Sequence, residues 1–189
     1  MLATGAFGCG GAPPSITLRP ARPEDAAAIC AIYNQGIQDR VATLEAELRT
    51  PEERERWMAS RLPRHPVIVA ETGAGAGSGR PGAGARGAVV GWGSLNPFNP
   101  RAAYDHVADF SVYVERDWRG RGVGRQLLTR LIDLGRELGY HKLVLSAFPF
   151  NAGGVALYER LGFRTVGIYK EQGQLGGRWV DTIVMEKLL

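Results

Sequence analysis

The apolar residues of this chain recur with two spacings, one typical of helices and the other of strands. Helical spacing predicts helices over residues 23–37, 50–62, 123–139 and 152–161. Short apolar runs between turn residues predict strands over residues 16–19, 67–70, 88–95, 107–114, 142–147, 163–169 and 179–185. The resulting order, β-α-α-β-β-β-α-β-α-β-β, predicts an α/β protein with a mixed sheet.

Two of the predicted helices carry start signals. Pro23-Glu24-Asp25 places a proline and two acids ahead of the first helical segment, and Thr50-Pro51-Glu52-Glu53 repeats the signal behind a capping residue. Proline fits the first turn because its missing N–H would have no intrahelical partner there, and acids favour the positive end of the helix dipole. We therefore expect two amphipathic helices that begin at these residues.

Two segments have little apolar surface to bury. Residues 1–15 are mostly Gly, Ala and Pro, which predicts a disordered tail ahead of the first strand. Residues 72–87 are nearly all Gly, Ala, Ser and Pro, which predicts a flexible loop within a hairpin of the second and third strands. This loop lacks the Gly-Lys-Ser/Thr ending of a phosphate-binding loop, and no amphipathic helix follows it. We therefore expect a single domain over residues 16–189.

Composition narrows the class of protein only moderately. The 189 residues are 44% hydrophobic and 22% charged, and the formal net charge of +4 is too small to predict nucleic-acid binding by itself. No Cys and His residues have metal-ligand spacing, and no apolar run reaches the roughly 18 residues of a membrane span. The N-terminal residues lack the features of a signal peptide. We expect a cytoplasmic protein that binds no metal, membrane or nucleic acid.

The most informative segment joins the predicted 107–114 strand to the helix that follows. Arg119-Gly120-Arg121-Gly122-Val123-Gly124-Arg125 combines glycines and arginines where free backbone N–H groups and the positive end of a helix are expected. Glycines let the backbone approach an anion closely, and the three arginines can neutralise its charge. This arrangement predicts a phosphate site, and a diphosphate fits it better than a single phosphate.

Three other interpretations of this segment stay open. An RNA-binding tract would show repeated Arg-Gly-Gly units in a disordered context, whereas this segment occurs once and leads into a leucine-rich helix. A dinucleotide site favours Gly-x-Gly-x-x-Gly after the first strand, whereas the spacing here is Gly-x-Gly-x-Gly in mid-chain. Alternatively, the glycines form only a tight turn and the arginines a solvated surface.

A second motif lies downstream of the first. Arg119-x-x-Gly122-x-Gly124 at a strand-to-helix joint, followed by Asn151, Leu157-Tyr158 and Gly162-Phe163, resembles the acetyl-CoA signature of the GCN5-related N-acetyltransferases. The resemblance covers residues 16–187 and implies a mixed, mostly antiparallel central sheet with flanking helices. Within that superfamily the chain is similar to the phosphinothricin, arsinothricin and methionine sulfoximine N-acetyltransferases. The segments that carry this similarity are 32–34, 49–54, 65–67, 91–98, 101–104, 111–114 and 177–181.

The resemblance implies acetyl-CoA as co-substrate and assigns residues to it. The pyrophosphate is expected on Arg119, Gly120, Arg121, Gly122, Val123, Gly124 and Arg125. The pantetheine arm is expected along the 107–114 strand, where it would pair with backbone groups of Val112 and Val114 beside Tyr113, and it would touch Asn151.

Acetyl transfer to an amine needs a base for the ammonium proton and an acid for the departing thiolate. Tyr158 occupies the family's thiol-protonating position, and a phenol with a pKa of about 10 can protonate a thiolate with a pKa of about 8.5. Asp109 stands where the phosphinothricin enzymes usually carry glutamate. Burial beside Phe110 would raise its pKa, so that it could accept a proton through a water near neutral pH. Tyr158 could instead be a core aromatic, and Asp109 an exposed acid on its strand.

A small amino-acid substrate also needs a partner for its carboxylate, and arginine has a matching planar set of donors. Arg101, with Tyr104 nearby, is the first candidate and Arg178 the second, while Phe98 and Trp179 are candidates for apolar walls. These residues could equally belong to the surface or to the packing. The predicted function is direct acetylation of the α-amino group of a small amino-acid analogue, and the resemblance implies a homodimer.

Two rival functions stay open. A peptide or protein N-terminal acetyltransferase would use the same motifs but would need an open groove in place of a closed pocket. A non-catalytic module would use the same fold to sense acyl-CoA or to contact nucleic acid through the basic loop. Release of free thiol from acetyl-CoA in the presence of different amines distinguishes these functions.

Overall fold

The computed structural model describes residues 15–73 and 87–189, which form a seven-stranded sheet with helices on both faces. The strands are β1 (Ile16–Pro20), β2 (Val67–Thr72), β3 (Val89–Pro97), β4 (Val107–Val114), β5 (Lys142–Ala147), β6 (Arg164–Leu175) and β7 (Arg178–Leu188). The helices are α1 (Ala26–Asp39), α2 (Pro51–Ala59), α3 (Val123–Glu137) and α4 (Ala152–Arg160). The order confirms the predicted fold class. Nearly all of the predicted tail and most of the predicted flexible loop, residues 1–14 and 74–86, lie outside the described residues.

The strands lie in the order β1-β2-β3-β4-β5-β7-β6. Neighbouring strands are antiparallel except β4 and β5, which are parallel. The predicted hairpin of the second and third strands is confirmed, because β2 and β3 pair antiparallel from Val67–Ser94 to Glu71–Val89. A parallel pair needs a crossover connection, and α3 provides it. The sheet is therefore mixed and mostly antiparallel, as expected.

The larger apolar core joins the sheet to α3, whose Leu127, Leu128 and Leu131 are fully buried. Two glycines of β3 permit this close approach. A Cβ at Gly91 would lie 3.0 Å from the side chain of Leu127, and one at Gly93 would lie 2.9 Å from that of Leu131. Truncation of a buried leucine costs about 2–5 kcal/mol. This packing therefore fixes α3, and the loop at its N-terminus, against the sheet.

The smaller core joins the other face of the sheet to α1 and α2, and it is rich in aromatic rings. The Trp92 and Tyr113 rings are stacked with centroids 5.0 Å apart, and Tyr33 meets Tyr113 edge-on at 4.9 Å. Trp57 of α2 contacts Trp92 at 5.7 Å. Aromatic pairs of this geometry stabilise beyond their buried area. Tyr33, Trp57, Trp92 and Tyr113 also line a cavity on this face of the sheet.

The predicted helix starts have the expected local chemistry. At α2, Glu53 donates its N–H to the Thr50 hydroxyl (3.2 Å), and Thr50 donates its N–H to the Glu53 carboxylate (2.8 Å). This reciprocal pair satisfies two donors that the first turn leaves free. Ahead of α1, Pro23–Asp25 forms one turn of 3-10 helix, so the α-helix itself begins at Ala26.

The last hairpin is longer than the apolar pattern predicts. β6 ends at Leu175 in place of residue 169, and β7 spans Arg178–Leu188 in place of residues 179–185. Most of β6 is exposed, so backbone pairing holds its outer half without an apolar face. Periodicity reports burial and therefore misses such a segment. The hairpin lies beside the segment between α1 and α2, where Leu44 packs against Gly173.

Candidate active site

The central feature of the site is a gap between two strands that begin as neighbours. β4 and β5 pair only from Val107–Lys142 to Asp109–Val144 and then separate. A cavity of about 170 Å³ occupies the gap. Asp109 and Ser111 of β4, Ser146 of β5, and Asn151 and Tyr158 at α4 line it, among others. The predicted catalytic residues Asp109 and Tyr158 and the predicted cofactor residue Asn151 therefore meet in one place.

The backbone of β4 presents hydrogen-bonding groups to this gap. Glu115 donates its N–H to the Val90 carbonyl (2.9 Å), which fixes the alternation of the β3–β4 ladder. By that alternation the backbone groups of Val112 and Val114, opposite Gly93 and Gly91, point away from β3 and toward the gap. An extended ligand lying there could pair with them as a strand would. This is the geometry that the predicted pantetheine contacts require.

The glycine segment closes one end of the gap. Gly120 and Gly122 have φ values of 75° and 83°, which lie in the left-handed region that favours glycine. A Cβ at either position would meet no atom within 4 Å, so the surface above them is open. Gly122 is the residue before α3, and the free N–H groups of the first turn of α3 follow it. The segment thus forms an open, positively polarised seat that fits a diphosphate.

The arginines of this segment differ in their contacts. Arg119 forms an ion pair with Asp39 at the end of α1 (2.6 Å), and its Nε donates to the Val114 carbonyl (3.1 Å). The guanidinium of Arg121 lies 5.2 Å from the centre of the Trp118 ring. Within the described ranges, no ion pair involves Arg121 or Arg125. Arg119 is therefore placed to hold the loop, while Arg121 and Arg125 retain charge for an anion.

The pKa values of Asp109 and Tyr158 are both raised, and the two shifts suit opposite roles in proton transfer. Burial raises the pKa of the Asp109 carboxyl from 3.8 to about 6, although a hydrogen bond with Asn96 opposes the shift. Burial, and then the charge of Asp109, raises the pKa of Tyr158 to about 12. Near pH 7 the carboxyl is mostly ionised and the phenol stays protonated. The pair can accept a proton at one side chain and donate one at the other.

Tyr158 also has packing contacts. Its ring meets Phe110 at 5.9 Å and Phe163 at 6.1 Å between centroids, both edge-on. Asn151 is likewise engaged, because its carbonyl oxygen accepts from the Gly154 N–H (3.1 Å) and its amide donates to the Val41 carbonyl (3.2 Å). Both residues therefore help to build the cavity wall as well as face the cavity.

A second, larger cavity adjoins the first on the face covered by α1 and α2. Its volume is about 370 Å³. The lining residues are Tyr33, Glu45, Arg49, Glu53, Arg54, Trp57, Trp92, Asn96, Ser111 and Tyr113. Ser111 and Tyr113 line both cavities, so the two spaces meet at β4. Four segments that carry the family resemblance, 32–34, 49–54, 91–98 and 111–114, contribute lining residues to this cavity.

The five predicted substrate residues lie outside both cavities. Phe98, Arg101 and Tyr104 occupy the exposed segment between β3 and β4, where the Phe98 and Tyr104 rings meet edge-on at 5.6 Å. Arg178 and Trp179 begin β7 at the exposed end of the last hairpin. Their roles stay predictions.

Two kinds of site are absent from the part of the chain that the structure describes. No group of three or more His, Cys, Asp or Glu side chains there could hold a metal ion. No helix there is long and apolar enough to cross a membrane.

Three features together fit a transferase that uses an acyl-CoA. They are a seat for a diphosphate, an edge of β4 that can pair with an extended arm, and a candidate base that lines the same cavity as a candidate acid. The chain belongs to the acetyltransferase (GNAT) family, whose model matches residues 37–163. The predicted family and the predicted class of enzyme are confirmed.

Individual relatives cover nearly the whole chain. It is 32% identical over 173 residues to the L-methionine sulfoximine/L-methionine sulfone acetyltransferase of Pseudomonas paraeruginosa, covering 91% of this chain and 94% of that protein. It is similar in structure to a phosphinothricin acetyltransferase from Sinorhizobium meliloti in complex with acetyl-CoA, with a TM-score of 0.81, 29% identity and coverage of 92% and 88%. It is also similar to a ribosomal-protein-alanine N-acetyltransferase from Brucella melitensis, with a TM-score of 0.79, 35% identity and coverage of 92% and 99%. Together with the fitted seat, the bound acetyl-CoA of the second relative supports acetyl-CoA as the co-substrate.

Proposed function

We propose that this protein acetylates the α-amino group of a small amino-acid analogue of the phosphinothricin, arsinothricin or methionine sulfoximine type, by direct transfer from acetyl-CoA. The observation that carries the proposal is the position of Asp109. It is the last paired residue of β4 and β5 and lines the gap, with a pKa raised to about 6 by burial. Asn96, opposite it on β3, lines the larger cavity. The names of the two small-molecule relatives support this class of substrate.

Each step of the transfer has a residue suited to it. Acetyl-CoA, when bound, supplies an acyl thioester. Asp109 accepts a proton from the ammonium group of the substrate, directly or through a water, and so exposes the nucleophilic nitrogen lone pair. Backbone N–H groups of β4 that point into the gap donate to the oxygen that becomes negative. The nitrogen bonds to the thioester carbonyl carbon and the C–S bond breaks, while Tyr158 donates its phenolic proton to the departing thiolate. The second proton lost by the nitrogen as it becomes an amide restores the phenol. No residue is required to carry the acetyl group.

A panel of amines tests the function. Purified protein is mixed with acetyl-CoA and phosphinothricin, arsinothricin, methionine sulfoximine or unmodified amino acids, and free thiol is measured. We expect turnover with at least one analogue, and mass spectrometry should locate the acetyl group on its α-nitrogen. Protein incubated with acetyl-CoA alone should gain no 42 Da adduct, since about 42 Da is the mass of a covalently added acetyl group. Turnover with none of these amines would contradict the proposal.

The Brucella melitensis relative favours a second candidate function, acetylation of a protein N-terminus. Short peptides with N-terminal alanine should be included in the panel. A cavity of about 370 Å³ suits a free amino acid better than a continuing peptide chain. We therefore expect a higher kcat/KM for the free analogues, and the reverse order would favour the second function.

We propose that Arg101 holds the substrate carboxylate, with Tyr104, Arg178, Phe98 and Trp179 around it. Because these residues are exposed and lie outside both cavities, this role requires the substrate to extend toward the β3–β4 segment. Arg101→Ala should raise KM strongly for a small amino acid, and an unchanged KM would remove Arg101 from the site.

We also propose a homodimer. The outer hairpin exposes large apolar side chains, among them Val166 (54% exposed), Ile168 (47%) and Trp179 (59%). Exposed apolar clusters of this kind are typical of protein contacts. Light scattering should give about twice the mass of 20.4 kDa, and Ile168→Glu should reduce it to that of a monomer.

A further inference from the structure

Two buried donors in the larger cavity have no acceptor. Neither the Nε of Arg54 nor the indole nitrogen of Trp92 has a hydrogen-bond partner among the described residues. The Arg54 residue is 9% exposed and the Trp92 residue 2% exposed, and both side chains line the cavity. Buried polar groups are nearly always paired, so two unpaired donors on one cavity require an explanation. Both are donors, and the missing partner is therefore an acceptor.

The surroundings of Arg54 single it out from the other cavity arginine. Arg49 pairs with Glu45 (2.8 Å) and lies 3.9 Å from Glu53. Arg54 has no ion pair within the described ranges, and its guanidinium lies 4.4 Å from the centre of the Tyr33 ring and 4.7 Å from that of Trp57. Aromatic faces hold a guanidinium in place and leave its donor edge free. Arg49 thus pairs directly with the two carboxylates of the cavity, whereas Arg54 acts on Glu45 only through its charge, which helps to lower the pKa of that carboxyl.

We propose that Arg54 and Trp92 bind an oxyanion of the acceptor substrate, so that the larger cavity sets specificity for amines that carry such a group. The inference rests on the proposed function and deepens it. The group concerned is a distal oxyanion such as a phosphinate, if Arg101 holds the α-carboxylate as proposed above. It is the α-carboxylate itself if Arg54 takes that role in place of Arg101. The chemistry is the same in both cases, a planar donor fork and an indole N–H facing negatively charged oxygens.

The spacing of the strands suits a distal oxyanion better than the α-carboxylate, whose oxygens lie within about 4 Å of the α-nitrogen. Trp92 lies opposite Tyr113, and Asn96 lies opposite Asp109, four residues further along the same ladder. At about 3.3 Å per residue the two rows are about 13 Å apart, and side chains from each row shorten that span. The row between them holds Ser111, whose hydroxyl accepts from the Asn96 amide (3.1 Å). A substrate with its amine beside Asp109 would therefore extend past Ser111 toward Arg54.

The test compares three variants. Arg54→Met removes the charged donor, and Trp92→Phe removes the indole N–H together with part of the ring while it keeps an aromatic ring in the cavity. Arg56→Met is the matched control, since Arg56 is an exposed arginine two residues further along α2. Each is assayed with phosphinothricin, which has both oxyanions, with methionine, which has only the α-carboxylate, and with methionine amide, which has neither. Thermal unfolding and the Kd of acetyl-CoA verify that each variant is folded.

We expect Arg54→Met to raise KM roughly 10- to 100-fold, and Trp92→Phe by about 3- to 10-fold, for substrates that carry the bound group. An effect on phosphinothricin alone assigns the donors to the distal oxyanion. An effect on phosphinothricin and methionine but not on the amide assigns them to the α-carboxylate. Unchanged KM values for all substrates, or an equal rise for the amide, would overturn the inference.

Direct binding separates this inference from the proposed function. Trp57 and Trp92 line the cavity, so their fluorescence reports a ligand that enters it. Phosphinothricin should quench the fluorescence of the wild-type protein and of Arg56→Met at lower concentration than that of Arg54→Met. If the protein binds phosphinothricin in this way but acetylates no amine, the proposed function fails and the inference stands. If Arg54→Met turns over phosphinothricin with wild-type KM, the inference fails and the function stands.

Discussion

Asp109 and Tyr158 line the same cavity, and the pKa of each side chain is raised, to about 6 for the carboxyl and about 12 for the phenol. Burial is the main cause in both cases, and the charge of Asp109 adds to the shift of Tyr158. A water-filled gap would shift both much less. The same separation of two strands therefore makes room for an extended ligand and raises the pKa of the two side chains proposed as base and acid.

The first prediction concerns the pH dependence of the reaction. Only ionised Asp109 can accept a proton, so kcat/KM should rise with pH and level off above about 6, the pKa of this carboxyl. Asp109→Asn keeps the shape and the contact with Asn96 but removes the base. We expect its kcat/KM to fall about 10²- to 10⁴-fold and the rise near pH 6 to disappear.

Asp105→Asn is the matched control for that experiment. Asp105 is an exposed acid four residues earlier, and its profile should follow that of the wild-type protein. If Asp109→Asn retained both its rate and the rise near pH 6, another group would be the base.

The second prediction is that the same substitution stabilises the protein. The pKa of Asp109 is higher in the folded state, about 6 against 3.8, so the folded state binds this proton more tightly. Ionisation therefore lowers the free energy of unfolding as pH rises from about 4 to 6, and the full cost, on the order of 2 kcal/mol, persists above that range. Asp109→Asn should raise Tm by about 4–8 °C at pH 8. The difference should be close to zero at pH 3.5, and an equal gain at both pH values would assign the effect to packing.

The third prediction concerns the thiolate leaving group. Tyr158→Phe keeps the ring contacts with Phe110 and Phe163 and removes the proton donor. We expect kcat to fall by about 10²-fold or more while the Kd of acetyl-CoA stays within about twofold. Because the phenol has a pKa of about 12, the wild-type kcat should not decline from its titration below pH 10. Tyr169→Phe, at an exposed tyrosine of β6, is the control. An unchanged kcat in Tyr158→Phe would show that Tyr158 is only a packing residue.

The parts of the site that the sequence predicted are those built from short segments. The glycine segment from Arg119 to Arg125 needs backbone conformations that glycine favours, and it lies between two strongly periodic elements. Its position at a strand-to-helix joint was therefore predictable. Asp109 was placed by its offset from the β4 motif. The downstream position of Tyr158 came from the family resemblance, since 49 positions in sequence separate it from Asp109 and no local pattern connects them.

The sequence resemblance marked segments that line the larger cavity, but it could not predict that they enclose one space, because the cavity depends on contacts between distant residues. Arg54 belongs to the 49–54 segment of the resemblance, but its burial was not predictable. A charged residue on a helix is normally exposed, and the burial of Arg54 depends on the rings of Tyr33 and Trp92. Trp92 lies in the predicted 88–95 strand, and nothing in the sequence indicates that its indole N–H lacks a hydrogen-bond partner. The apolar pattern does not predict the outer half of β6, because backbone pairing holds this half of the strand without burial.

The last prediction distinguishes two glycines of the diphosphate seat. Gly122 has a φ of 83°, so Gly122→Ala forces an alanine into the left-handed region at a cost of about 1–2 kcal/mol. It also places a methyl group on the open surface where an anion would approach. Gly124 lies within α3, and a Cβ there would meet Leu157 at 3.5 Å and Val114 at 3.6 Å, which are ordinary contacts. Gly124→Ala should therefore be tolerated.

Calorimetry with CoA provides the measurement for both variants. We expect Gly122→Ala to raise the Kd at least 10-fold, from the strain of the loop and the loss of close approach to the diphosphate. Gly124→Ala should change the Kd by less than about threefold, because alanine is a better helix former than glycine and its methyl group has room. Pantetheine, which lacks the diphosphate, should bind the wild-type protein and Gly122→Ala equally. If pantetheine binding falls as much as CoA binding, the effect of Gly122→Ala comes from the gap between β4 and β5 and the diphosphate lies elsewhere.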